Sequence, residues 1–208
     1  ILHKDRWGRP YIFDGVEIYG NRTLKMEAGS KLSTLSGNVQ SINIAGGQLI
    51  VEGTAQEPVI MDSQFGDQFG GSHWGQLRLW LATASMRHLT VRHAGRFDPP
   101  LSVRRSTVSF DNLAIEYPSN SPIGGFDESD VFIENSVFDG NLPVQQCVDN
   151  PYCFGLFSGL SFSNSNVVLR NSTVRSIPSG PALVLSNTRA FLDNVSLETS
   201  KIGLQAVS

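Results

Sequence analysis

DNLAI, residues 111–115, returns in altered form as RHLTV (87–91), ENSVF (134–138), RNSTV (170–174) and DNVSL (193–197). Aligned on His88, Asn112, Asn135, Asn171 and Asn194, the copies lie 24, 23, 36 and 23 residues apart. Self-similarity at such a period marks stacked units that cannot bury their apolar side alone. Two residues before each anchor stand Met86, Phe110, Ile133, Leu169 and Leu192, and four before it Ala84, Val108, Val131, Val167 and Ala190. This alternation gives the inward face of a strand. Three residues after the anchor come Val91, Ile115, Phe138, Val174 and Leu197, an odd step that breaks the strand phase. The chain therefore bends at the anchor. Asn tolerates the left-handed backbone such a bend uses, and its amide is able to hydrogen-bond to the coil above.

Eleven residues before each anchor a further strand runs through Leu77, Leu101, Gly124, Leu160 and Leu183, with Leu79, Val103, Phe126, Phe162 and Leu185 two residues on. Each coil thus holds three short strands. The same offset links Leu24 to Leu35 and Leu49 to Ile60, which extends the stack upstream, and Leu204 with Ala206 starts another coil. Parallel crossovers are strongly biased to one hand. The expectation is an all-β, right-handed parallel β-helix of about eight coils at about 4.8 Å per coil. Residues 1–208 form one domain, read as a fragment of a longer protein because Ile1 begins without a charged and hydrophobic leader.

Two charged columns support this register. Arg87, Asp111, Glu134, Arg170 and Asp193 precede the anchors, and Arg92, Glu116, Asp139, Arg175 and Glu198 follow them by four residues. Both columns have the same order of sign, so each arginine faces an acid on an adjoining coil, and each column also holds one unfavourable pair of acids. Exposed pairs of this kind contribute roughly 0.2–1 kcal/mol each and serve register more than stability.

A net charge of -3 and the lack of a Lys/Arg stripe with aromatics exclude general attraction to nucleic acid. No apolar run is long enough to span a bilayer as a helix, so membrane insertion is not expected. The cysteines, Cys147 and Cys153 in CVDNPYC, fit neither a zinc site nor a CxxC redox motif. A local disulfide is preferred over two free thiols in a loop, and it points to an oxidising compartment.

GQLIVEGTAQEPVIMDS (47–63), HWGQLRLW (73–80) and MRHLTVRHAG (86–95) resemble the β-helix modules of bacterial secreted and surface proteins. The resemblance covers roughly residues 16–95, and the asparagine coils resemble the broader pectate-lyase-like superfamily. It implies the fold and an extracellular or cell-surface setting. It carries no activity, since the architecture also serves adhesins, tail fibres and inert spacers. In the superfamily's carbohydrate-active members the substrate commonly lies along the first sheet. The outward column there reads Arg78, Ser102, Gly125, Ser161 and Val184, without the two carboxylates most glycoside hydrolysis needs.

Trp80, Arg104 and Asp127 stand at equivalent outward positions beside that column. Arg104 and Asp127 are read as a surface ion pair in preference to a ligand contact. The acids Asp127, Glu128 and Asp130 are separated by strand alternation, and no metal or other cofactor is expected. His73, His88 and His93 lack a triad or ligand motif and are read as structural. The sequons at Asn171 and Asn194 fall on the bend column, where glycosylation competes with the bend, while Asn21 carries a third. The 36-residue interval holds an insertion at 141–157, where Tyr152 and Phe154 are candidate partner or glycan contacts. A stapled loop without a role is the competing reading. The expected function is a non-catalytic extracellular or cell-surface scaffold or adhesion module, able to bind glycan through the inserted loop and adjacent sheet. The alternative is a polysaccharide lyase or another carbohydrate-active enzyme of the superfamily.

Overall fold

A computed structural model describes residues 1–7, 9–34, 40–63, 74–95, 98–118, 122–140 and 158–207. Every registered strand pairing among them is parallel, and none of the described residues is helical. The chain is a parallel β-helix. Three sheets run along it, and the first is built by Val16–Tyr19, Ile42–Ala45, Leu77–Trp80, Leu101–Arg104, Gly124–Asp127 and Leu160–Ser163. The ends of the long strands Asn166–Ser186 and Arg189–Val207 complete it, giving eight rungs.

The downstream register is the one the repeat predicts. Leu77 pairs with Leu101, Leu101 with Gly124, Gly124 with Leu160, and Leu160 with Leu183. Ala84, Val108, Val131, Val167 and Ala190 align on the second sheet. Val91, Ile115, Phe138, Val174 and Leu197 align on the third. The core is the inside of the coil, where Phe126 stacks on Phe162 with centroids 4.6 Å apart and meets Phe110 edge-on at 6.3 Å.

The anchor residues take the left-handed conformation, with φ of 46° at His88, 58° at Asn112, 50° at Asn135, 45° at Asn171 and 51° at Asn194. Asn194 donates its amide to Asn171 at 3.0 Å, as a ladder requires. Asn112 and Asn135 instead both donate to the Asp111 carboxylate, at 2.8 Å each, because an anionic acceptor lies closer to hand and is stronger.

The first bend of each coil, seven residues before the anchor, uses the same conformation at residues of mixed type: Leu81, Arg105, Glu128, Asn164 and Asn187, with φ between 45° and 51°. Gly20 and Gly46 continue the column upstream at φ 64° and 71°. Beneath it runs a ladder of buried hydroxyls. Ala82 N–H donates to Ser106 Oγ at 3.0 Å, Ser106 N–H to Ser129 Oγ at 3.2 Å, and Ser129 N–H to Ser165 Oγ at 3.1 Å. Each of these hydroxyls donates to the carbonyl two residues before it, at 2.7–2.8 Å. Ser136 and Ser172 repeat the device under the asparagine bend. The turn thus hides N–H groups from water without leaving them unpaired.

The upstream frame differs from the eleven-residue offset. Leu24 and Leu49 belong to the second sheet, since Leu24 pairs with Leu49 and Leu49 with Ala84. Ile42 is the residue that meets Leu77, and Ile60 is an outward residue of the third sheet opposite Thr90. Gly53 stands opposite the anchor His88, because a Cβ there would lie 2.3 Å from the His88 carbonyl oxygen. The coil from Ile42 to Leu77 is 35 residues long, so the upstream spacing carries an insertion of its own. The insertion at 141–157 lies outside the described residues, and with it the Cys147–Cys153 pairing. The coils on either side of it stack directly, Val137–Asp139 against Thr173–Arg175.

Of the charge columns, Arg92 pairs with Glu116 at 2.7 Å, Arg175 with Asp139 at 2.9 Å and Arg170 with Glu134 at 3.4 Å.

Candidate functional site

Alternation along the first sheet turns two rows of side chains outward. One row includes Glu17, Asn43, Arg78 and Ser102, and the other Tyr19, Ala45, Trp80, Arg104 and Asp127. Trp80 therefore stands in line with Arg104 and Asp127, as the repeat predicts. Tyr19 joins them on the other side. Tyr19 and Trp80 are 57% and 43% exposed, and Ala45 lies between them. Two coil steps place these aromatic positions about 9.6 Å apart. The small Ala45 side chain leaves the space open as a cleft of about 210 Å³, with Asn43, Arg78 and Glu17 at its side.

Two of the cleft's polar groups are joined. Tyr19 donates its hydroxyl to Glu17 at 2.6 Å, and that bond raises the phenol above its ordinary pKa. Arg78 has no ion pair or side-chain hydrogen bond among the described residues. It is a free planar donor beside two aromatic side chains.

One coil further on, Arg104 meets Asp127 at 3.4 Å and Glu128 at 4.0 Å, while Arg105 holds Glu128 at 2.5 and 3.3 Å. The hydrogen bond from Arg105 keeps the Glu128 carboxyl below its usual range. These acids are acceptors for neighbouring guanidinium groups, and Asp130 likewise accepts the Asn166 amide at 2.8 Å.

Tyr152 and Phe154, together with His73, lie outside the described residues. His93 is buried, with Nδ1 2.7 Å from Asp62 and its ring stacked on Tyr117 at 5.2 Å. Asp62 lies on the coil before it and Tyr117 on the coil after, so it ties three coils together. His88 serves the bend.

Tyr19 was hidden by the upstream frame. Counting eleven residues from Leu24 or Leu49 puts Lys25 and Ile50 where Glu17 and Asn43 belong. The signal that recovers them is glycine, since Gly20 and Gly46 mark the first bend as Leu81 does downstream.

No protein family and no curated protein matches the sequence. Among solved structures, two trypsin-treated variants of QnrB1, a plasmid-mediated fluoroquinolone resistance protein, align with 89% and 90% of this chain and 90% and 91% of their own. Identity is 11% in both, and the TM-scores are 0.24 and 0.23. At that level no property of QnrB1 carries over.

Proposed function

We propose that this β-helix is a non-catalytic binding module of the extracellular space or a cell surface, related to the pectate-lyase-like superfamily, that holds glycan on its first sheet. The observation behind it is the cleft between Tyr19 and Trp80 over Ala45. A ring placed between two others needs two van der Waals separations of roughly 4 Å each. Aromatic positions about 9.6 Å apart therefore admit one sugar ring. Its apolar C–H faces pack on the aromatic side chains and its hydroxyls reach Arg78, Asn43 and Glu17 at the edge. Adhesion follows from presenting such a site on a stiff rod.

The same geometry argues against turnover on this face. General acid catalysis calls for a carboxyl free to deliver its proton, whereas Asp127 and Glu128 are tied to Arg104 and Arg105. A lyase reading needs Arg104 as base, and its guanidinium is engaged with Asp127.

Titration with a panel of neutral and acidic oligosaccharides tests the proposal. Trp80→Ala and Tyr19→Ala should each weaken binding about tenfold or more, equivalent to about 1.4 kcal/mol. Unchanged affinity in both variants refutes the cleft as the site. Chain cleavage that disappears in a folded Arg104→Ala variant replaces the binding module with the lyase.

A further inference from the structure

On the second sheet, the outward face forms a larger groove of about 810 Å³ that neither the asparagine bend nor the first-sheet cleft uses. Its floor is made of small hydroxyl side chains on adjoining coils, Thr83 and Ser85 beside Thr107 and Ser109. All four are exposed, and none of their hydroxyls has a partner among the described residues. Phe132 projects into the groove on the next coil and is 39% exposed, and the lining continues beyond it to Val168 and Phe191.

The Phe132 ring is fixed from behind. The Arg170 guanidinium lies over it at 5.7 Å and over Phe191 at 5.3 Å, and it is tied to Glu134 at 3.4 Å. Arg170 belongs to the coil after Phe132, and Ser109 to the coil before it. The guanidinium therefore lies over the Phe132 ring from the coil that follows, and Ser109 with the hydroxyl floor lies on the coil at its other side.

From this geometry we infer that the groove is a second carbohydrate site, which takes a neutral sugar ring stacked on Phe132 with its hydroxyls on Ser109, Thr107 and Ser85. A pyranose presents this pairing of an apolar face and a polar edge, and aromatic side chains recognise it by packing. Charge points to a neutral ligand. The lining contains one carboxylate, Asp130, already accepting the Asn166 amide, and one guanidinium, Arg189. A peptide is a poorer match because the sheet is continuous from Thr23 to Arg189. Its interior coils offer no unpaired strand edge to extend, so a peptide would lay its own backbone groups on the hydroxyls without a ladder.

The inference goes beyond the first-sheet reading and is separable from it. Calorimetric titration of the full chain with cellohexaose, xylohexaose and mannohexaose, beside acidic oligouronate, measures affinity and stoichiometry. At least one neutral hexasaccharide should bind at two sites. Phe132→Ala should weaken one of them at least tenfold, and Ser109→Glu, which projects a charged chain into the groove, should abolish it. Trp80→Ala should affect only the other. Both second-sheet positions are exposed, and an unchanged thermal melt confirms that each variant is folded. Wild-type binding of all three neutral probes by Phe132→Ala and Ser109→Glu overturns the inference, as does failure of every neutral probe to bind or binding there of the acidic probe alone. Loss in Phe132→Ala with no effect of Trp80→Ala upholds this groove and removes the first-sheet cleft.

Discussion

Replacing Ser129 by alanine deletes one rung of the hydroxyl ladder under the first bend and changes little else. The Ser129 hydroxyl is buried, accepts the Ser106 N–H at 3.2 Å and donates to the Asp127 carbonyl at 2.7 Å. That carbonyl keeps a second donor, the Arg105 N–H at 3.0 Å, and the N–H of residue 129 still reaches Ser165 Oγ at 3.1 Å. The group left stranded is the Ser106 N–H. A buried donor without an acceptor costs roughly 1–3 kcal/mol. In a chain of this size each kcal/mol lowers the Tm by about 2–4 °C. Urea unfolding should therefore show an earlier midpoint with an unchanged slope. Ser85→Ala is the control, because Ser85 points outward without a partner and its loss should stay within about 0.5 kcal/mol. If Ser129→Ala unfolds at the same urea concentration as Ser85→Ala, the ladder does not hold the bend.

Three further outcomes rest on the bends and the ion pair beside them. Gly53→Ala should destabilise the protein by roughly 1–3 kcal/mol, as overpacking does, since its Cβ would meet the backbone oxygens of His88 and Arg87 at 2.3 and 2.9 Å; thermal unfolding reads this directly, and an unshifted melt contradicts the close approach. Leu81→Asn should stabilise by about 0.5–1 kcal/mol, because Leu81 is exposed and holds φ at 51° where Asn is strained less; an equal or lower Tm counts against strain at that bend. Glu128 should titrate below the ordinary carboxylate value, and Arg105→Gln should move its NMR midpoint upward. With a depressed folded pKa, the pair's contribution is present above the unfolded value and is lost as the pH falls through the folded one. A Glu128 midpoint indifferent to Arg105 rules out the pairing.

The asparagine bend was legible because its residue type and its geometry agree. Asn112, Asn135, Asn171 and Asn194 all hold the positive φ that Asn tolerates, and the phase break in the apolar pattern falls at the same place. The first bend has equal geometry but carries Leu81, Arg105 and Glu128, residues that no propensity would place there. The backbone is held at that corner by stacking and by the hydroxyls below, so tertiary context overrides local preference. A readable trace remained one residue on, where Ala82, Ser106, Ser129, Ser165 and Thr188 form a column of small residues, mostly hydroxyls. Upstream, the offset from Leu24 and Leu49 failed because apolar spacing fixes a strand's face without saying which of three sheets it joins. Gly20 and Gly46 resolve that ambiguity, and Tyr19 becomes visible beside Trp80 only in the corrected frame.

The division between inward and outward residues also explains why binding chemistry is separable from folding here. Inward columns and bends set the stack, as Phe126 on Phe162 and Ser129 on Ser165 show. Outward residues such as Trp80 and Phe132 project from a backbone whose pairing is already satisfied on both sides. Changing them alters the surface while leaving those pairings in place. Successive coils repeat the same outward positions at about 4.8 Å, so a ligand feature two steps long meets every second coil. Ala45 between Tyr19 and Trp80 uses that rule to open a cleft, whereas between Phe132 and Phe191 the same position holds Val168, and Arg170, two residues on, lays its guanidinium over both rings. Selectivity between the two faces would then depend on the residue at the intervening coil, a small one admitting a ring and a large one filling the gap. Ala45→Arg is the direct consequence: a long side chain there should fill the first-sheet cleft, abolishing glycan binding there while the melt and the Phe132 groove stay as they are. Retained affinity at the first sheet in that variant would refute the rule.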